Sequence, residues 1–499
     1  MNIEQYRKDA ENFLGELDKE YYLHFSGRKP ELNLEEIYKK YDFLFSFENS
    51  QFFKDLIDIS EGDNKKKSRF LFQFCTDAYI GKKYQKISDK IANNEATAKI
   101  NIDGQDYSFR HSDIILSNES DKNKRESIDS KRRKLTSDVF NNDLKIYWQS
   151  LHSEAQGLGF EDYTALFMKL KGYDFYALDA SMDKLISETD ELYEKHMDRL
   201  FKNRLGISIH GSKASDFAYI KRAKQFDMFF KKENLVPVFR ETMNMLGINL
   251  ENQNNVVMDV EERENKSPRA FCCPVKVPSE IYLVVMPSGG QDDYGAMFHE
   301  GGHAEHFANV SSKLDFEYRY LGDNAVTEGF AFCLENLLFE KEWLLKIIKM
   351  DENAADEFVY FSGLINLFFL RRYAGKLKYE LNLHDETDFE RKDHLYSEIL
   401  TNNLIMKYYP ENYLKDVDEG FYCTSYIRAW MFEAQLKDYM LNKFGTSWFK
   451  SKKAGDFLKE VWSYGQKYSP EEILDFIGYK SLDINYLINN AVELIISKK

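Results

Sequence analysis

Apolar residues recur at every third or fourth position along almost the whole chain, and only 8 prolines in 499 residues interrupt the pattern. That spacing draws an apolar stripe down one side of a helix. Most of the chain must therefore fold as helices packed on one another. IEQYRKDAENFLGELDKEYY, the stretch from Leu178 to about Leu205, and FAYIKRAKQFDMFFKKENLVPVFRETMNML carry the pattern through the first half. Loop signals fall at SEGDNKKKS (60–68) and near IHGSKAS (209–215). The 39 Phe and 32 Tyr suit a large packed interior and argue against disorder.

The character changes near residue 255. FCCPVKVPSEIYLVVM (271–286) is the most strand-like passage in the chain, rich in β-branched and aromatic residues and bounded by Pro and Gly. Pro274 and Pro278 would break a central strand and fit an edge strand. The helical pattern returns after PSGGQDD and persists to the end, where Ser469, Pro470 and Glu472 mark a helix start. The expected fold is mainly α with one small β-sheet. Two regions are expected: residues 1–250, helical, and residues 251–499, which hold the chemistry described next.

Composition limits the partners. A formal charge of −15 argues against a nucleic-acid binder, which would carry a basic footprint. The run KNKRESIDSKRRK (122–134) interleaves acids with its bases and reads as a solvated helix face. Five scattered cysteines without a CxxC pair fit a reduced, cytoplasmic chain. No stretch approaches the ~18 apolar residues of a membrane span. The start, MNIEQYRKDAENFLGEL, lacks the apolar core of a signal peptide.

One passage carries chemistry. In FHEGGHAEHF (298–307), His299 and His303 are four apart, so a helix projects both imidazoles from one face. With Glu300 between them this is HExxH, in which two histidines hold Zn²⁺ and the glutamate acts as general base. Chance yields such a pattern on the order of one time in fifty in a chain of this make-up, so a further ligand is needed. A catalytic zinc takes three protein ligands and leaves a position for water. GDNAVTEGFAFCLENLLFE (322–340) opens with a capping Asp323 or Asn324 and runs as a helix with Glu328 in its first turns, 25 residues beyond His303. Alone, Glu328 would read as an acid complementing the helix dipole; beside HExxH it reads as the third ligand. His306 would lie roughly 10 Å along the axis from His299, too far to share an ion, and belongs to the core or to the surroundings of the ligands. Asp293 fits equally an acceptor for a ligand imidazole and a plain N-terminal acid. Cys272 and Cys273 point to opposite faces of a strand and are read as core thiols.

With those residues in place, the chain resembles the thimet oligopeptidase and oligoendopeptidase F family of zinc metallopeptidases. MDVEERENKSPRAF (258–271) resembles the family's LDLYxREGKxxxAA, with Asp259, Arg263, Lys266 and Ala270 in register. DDYGAMFHEGGHAEH (292–306) resembles DVxTLFHEFGHAMH, and TEGFAFCLENL (327–337) resembles VEAPSQMLENW, which places Glu328 on the third-ligand position. GLINLFFLRRYAGKLKYELNLH and SPEEILDFIGYK are weaker matches further on; together the pieces span about residues 255 to 485. The resemblance implies one zinc ion per chain on His299, His303 and Glu328, with Glu300 as the base. It also implies a two-lobed, mainly helical body around a deep channel for short peptides, with the strand at 275–286 pairing with substrate backbone. The family aims a His and several Tyr at the oxyanion from a late helix. Aligning DVDEGFYCTSYIRAWMFEAQLKD (416–438) puts Tyr422 and Tyr426 on family tyrosines and Ala429 on the principal catalytic one, and no His follows His394. Tyr426 is the first candidate to take over. The alternatives are a peptide-binding homologue with little or no activity and carboxypeptidase or dipeptidyl carboxypeptidase action; the oligomeric state stays open.

Overall fold

The structure is a computed structural model and describes residues 1–263, 265–385 and 388–496. The protein is mainly α, as the periodicity predicts. Packing divides it into two compact units: Met1–Thr76, Lys224–Ser362 and Ser425–Lys499 form the first, and Asp77–Ala223 with Gly363–Thr424 form the second. Both are discontinuous in sequence, so the compositional change near residue 255 and the division by packing are separate features. Among the described residues five strands occur: β1 (Lys99–Ile102) and β2 (Gln105–Ser108) in the second unit, β3 (Val256–Asp259), β4 (Phe271–Lys276) and β5 (Glu280–Val284) in the first.

In the first unit the strand-like passage folds as a hairpin rather than one strand. The sheet order is β3-β5-β4, with β5 parallel to β3 and antiparallel to β4. Pro274 falls where the β4–β5 register shifts, between Cys273 and Lys276, and Pro278 falls in the turn. Missing ladder donors are tolerated at such places. β3 and β4 are therefore the two edge strands, and the expected strand at 275–286 is divided between β4 and β5. The helix Ile3–Phe25 starts at Asn2, whose side chain accepts from the Gln5 amide, and packs across the sheet, stacking Tyr22 on Tyr282 at 3.7 Å between ring centres.

Charge pins the loop after β3. Lys266, fully buried, gives Nζ to the Asp259 carboxylate at 2.9 Å and to the carbonyls of Asp259, Glu261 and Val285 at 2.8–2.9 Å. Arg263 and Arg28 close on the same carboxylate. Burial alone would raise the pKa of Asp259, but the hydrogen bonds from Arg263 and Lys266 outweigh it and hold it at about 2.

In the second unit the helix Phe175–Leu205 matches the predicted stretch almost residue for residue, between an Asp174 cap and a left-handed Gly206. Two local expectations fail. The helix Gly62–Thr97 already includes most of 60–68, so the Gly/Asp/Lys-rich segment is a helix start and not a loop. The hairpin β1–β2 was unforeseen, although its Asp103–Gly104 turn, with both φ positive, is the residue pair that two-residue hairpins demand. Among the described residues no helix is long and apolar enough to cross a membrane.

Candidate metal centre

HExxH sits in the middle of the helix Gln291–Asn309. Asp293 does not reach an imidazole; its Oδ2 accepts the amides of Ser288 and Gly289 at 2.7 and 2.8 Å and so fastens the loop into the helix. Tyr294, Met297 and Phe298 are buried behind the helix, with Phe298 edge-on to Phe239 and Trp343 at 5.2 and 5.3 Å. His306 is also core: fully buried, stacked on Phe307, with Nε2 3.3 Å from the Gly465 carbonyl.

The two glycines of the motif explain how the next helix comes so close. A Cβ on Gly302 would stand 2.6 Å from the Ala331 Cα and 3.1 Å from the Phe330 carbonyl, both on the helix Asn324–Glu335. A Cβ on Gly301 would run into the Phe239 ring. Gly302 is thus required by backbone contact between the two helices, and Gly301 makes room for the Phe239 ring. Asp323 caps the second helix by accepting the Ala325 amide at 3.0 Å, as its sequence predicts. One turn before Ala331, that helix presents Glu328.

The result is convergence. Glu328 Oε2 lies 3.3 Å from His299 Nε2 and 3.6 Å from His303 Nε2, and one ligand-type atom from each residue falls within 4.8 Å of the others. The opposite ring nitrogens are held from behind: His299 Nδ1 is 2.8 Å from Glu335 Oε2 and His303 Nδ1 is 2.8 Å from Thr327 Oγ1. These two partners, which the sequence reading missed, fix ring orientation so that both Nε2 atoms face Glu328. One signal was available: Glu335 follows Glu328 by seven residues, two turns along the same helix face.

The electrostatics ask for a cation. Burial disfavours charge on His299, yet the carboxylates of Glu328 and Glu335 outweigh burial and push its pKa up to about 10. Burial would likewise raise Glu328, but His299 and His303 hold it well below the ordinary carboxylate range. Two imidazole nitrogens, which can give up a proton to an ion, and one carboxylate oxygen, oriented from behind, are the donor set that a divalent zinc takes. The residues fit the ion.

Glu300 stands beside this set. Burial raises its pKa; the two histidines pull it back, and the backbone N–H of Cys272 on β4 is in hydrogen-bond reach of its carboxylate. Cys273 is buried in the sheet core and Cys272 half-buried, each a free thiol. Tyr426 lies in the same unit, its ring 6.0 Å from Phe332, whose own ring is 5.1 Å from His299. Ala429 is fully buried against Ala325 and Phe332. Tyr422 belongs to the second unit, its ring 5.9 Å from the Lys171 ammonium.

The described residues form a large, mainly helical fold. A solved structure described as a "putative oligoendopeptidase F" from Bacillus anthracis str. Ames superposes with a TM-score of 0.67, covering 98% of this chain and 90% of that one at 14% identity. At that identity the likeness establishes the fold. No protein-family model and no curated protein matches the sequence.

Proposed function

We propose that the chain is a zinc-dependent metallopeptidase that hydrolyses short peptides, with His299, His303 and Glu328 as ligands and Glu300 as general base. The observation that carries this reading is the convergence of both Nε2 atoms on Glu328 while Glu335 and Thr327 grip the far sides of the rings. The shared fold of the B. anthracis protein supports it. Zinc, when bound, supplies a Lewis acid for the scissile carbonyl and makes nearby water a better acid.

The chain's own residues do the rest. Glu300 is not needed as a ligand; it accepts a proton from the attacking water and delivers it to the departing amine. Its raised pKa makes it a stronger base than an exposed glutamate, which suits the first of those steps. The open edge of β4 offers backbone donors and acceptors to an extended peptide, the strand-addition mode of recognition. Tyr426 is the candidate hydrogen-bond donor to the oxyanion within this unit. The five free thiols fit a reducing, cytoplasmic setting.

The test is Glu300→Gln, with metal content and peptide turnover measured on the same sample. Zinc should stay near wild type while turnover falls by about 10²–10⁴-fold. Full turnover in the variant would remove Glu300 from the mechanism. A second reading, a peptide-capturing protein without hydrolysis, draws on the buried Ala429 in place of a catalytic tyrosine. Mass spectrometry of a peptide library incubated with wild type separates the two: new termini support the enzyme, and intact bound peptides support capture.

A further inference from the structure

The helix Ile3–Phe25 lies across β4, and Asp18 stands between two of its close contacts with the sheet. One turn before it, a Cβ on Gly15 would come 3.0 Å from the Val275 carbonyl. One turn after it, Tyr22 stacks on Tyr282 and packs with Cys273 and Val275. Positions 15, 18 and 22 share one face of the helix, so Asp18 is directed toward β4. The neighbouring cation, Lys19, is engaged elsewhere, with Nζ on Glu280 at 2.6 Å and on the Tyr282 hydroxyl at 2.5 Å.

The Asp18 carboxylate is half-buried, and among the described residues no hydrogen bond and no ion pair reaches it. Burial with nothing to offset it pushes its pKa up to about 7. The Cys273 thiol records the same imbalance: burial raises its pKa first, the charges of Asp18 and Glu300 raise it further, and among the described residues no positive charge answers them. A carboxylate partly withdrawn from water without a donor is costly, and an arriving ammonium or guanidinium removes that cost. The sheet edge says where such a cation would come from. Cys272 brings β4 to Glu300, its N–H within hydrogen-bond reach of that carboxylate. Side chains along a strand alternate between the two faces of the sheet, and directly paired residues project from the same face. Cys273 belongs to the face that the helix covers. A peptide residue paired with Cys273 therefore raises its side chain toward Asp18, one residue from the position beside Glu300.

We propose that Asp18 selects peptides with a lysine or arginine close to the cleaved bond, pairing its carboxylate with the cation of that side chain. The inference rests on the peptidase reading above and adds a substrate class to it. Full-length, zinc-loaded protein is given peptide pairs that differ only in lysine against norleucine, which keeps the methylenes and lacks the charge. The substitution is moved through each position flanking the cleaved bond. At one position wild type should favour lysine about tenfold or more in kcat/KM, through one charge-assisted contact, and Asp18→Asn should bring that ratio to about one. Glu35→Gln, at an exposed acid of the same unit, should keep the preference; its loss there would assign the effect to net charge and overturn the role of Asp18. Equal rates for lysine and norleucine at every position in wild type, or a preference that survives in Asp18→Asn, also overturns it. Cleavage of no peptide at all sinks the peptidase reading instead, and the same pairs, labelled, are then compared by fluorescence anisotropy. Tighter lysine binding that Asp18→Asn removes keeps the carboxylate as a cation site, and equal binding overturns that too.

Discussion

Two buried clusters in this molecule look alike on a list of distances and differ in chemistry. His299, His303 and Glu328 in the first unit, and Glu380, Asp418 and Cys423 in the second, each bring three metal-type ligand atoms within 4.8 Å of one another. In the second, an ammonium is already in place: Lys376 Nζ lies 2.8 Å from Asp418, 3.5 Å from Asp416 and 3.8 Å from Glu380. Burial pushes Glu380 up to about 8 even with Lys376 nearby, and burial keeps the Cys423 thiol protonated; that thiol donates to Glu380 at 3.2 Å. Protons and a lysine satisfy the cluster. In the first, the groups that keep Glu328 ionised are the two imidazoles themselves, turned toward it by Glu335 and Thr327. Proximity of ligand atoms is therefore a weak criterion. What separates the two is the source of the positive charge: a lysine ammonium is fixed in the second cluster, whereas imidazoles can give up their protons and donate to an ion in the first.

The largest effect should come from breaking the first cluster and sparing the second. Glu328→Ala should drop zinc from about one per chain to near none and abolish cleavage, since a catalytic site has only three protein ligands to lose from. Glu380→Gln should leave metal content unchanged. Elemental analysis of the two purified variants decides it: zinc loss in Glu380→Gln, or two ions in wild type, would erase the contrast.

Next in size is Lys376→Met. Removing a buried cation strands Asp418 near Glu380, while Asp416 keeps Arg372, at a cost of about 3–5 kcal/mol in urea unfolding. Added zinc should not restore it, because Glu380 and Cys423 keep their protons; restoration by zinc would show that the second cluster is a metal site with its lysine as a plug.

Much of this contrast could be read from residues alone. HExxH was legible because four-residue spacing on a helix has only one geometric meaning. Glu328 was legible because Asp323 announces the start of its helix. The glycines at 301 and 302 were part of the quoted motif, but their reason lies in Phe239 and Ala331, which only folding brings near. Thr327 and Glu335 were missed because support for a ligand carries no motif of its own. The second cluster was invisible for a different cause: Lys376, Glu380, Asp418 and Cys423 read singly as ordinary helix and loop residues. The run at 122–134 was legible on one face, where Lys122, Lys124, Lys131 and Lys134 are exposed as expected, but Arg125 and Arg133 turn inward to partners, Asp216 and Glu411 among them, that arrive from elsewhere in the chain. Composition reports how many charges a segment has and says nothing of where their partners are.

A smaller effect should follow from loosening the first cluster without removing a ligand. Glu335→Gln keeps a hydrogen-bond acceptor near His299 Nδ1 and removes the negative charge behind the ring. Zinc affinity should fall by about 10–100-fold, read by competition with a chelator, while the fold is unchanged. Unchanged affinity would mean that the three ligands are oriented by packing alone, and that Glu335 does not belong to the site.

The last contrast distinguishes the clusters by pH. Glu380 has a folded pKa of about 8, above its ordinary value near 4.5. The folded state therefore holds that proton more tightly than the unfolded chain does. Its contribution is fully present below about pH 4.5 and is lost as pH rises through about 8, with a slope of at most about 1.4 kcal/mol per pH unit for one proton. Glutamine imitates the protonated acid and has nothing to titrate. Glu380→Gln should therefore match wild type near pH 5 and exceed it in stability near pH 8, measured as urea midpoints with zinc held constant. Parallel curves for the two proteins would show that Glu380 is ionised in the folded state, balanced by Lys376 as an ion pair, and the charge argument that separates the two clusters would lose its proton.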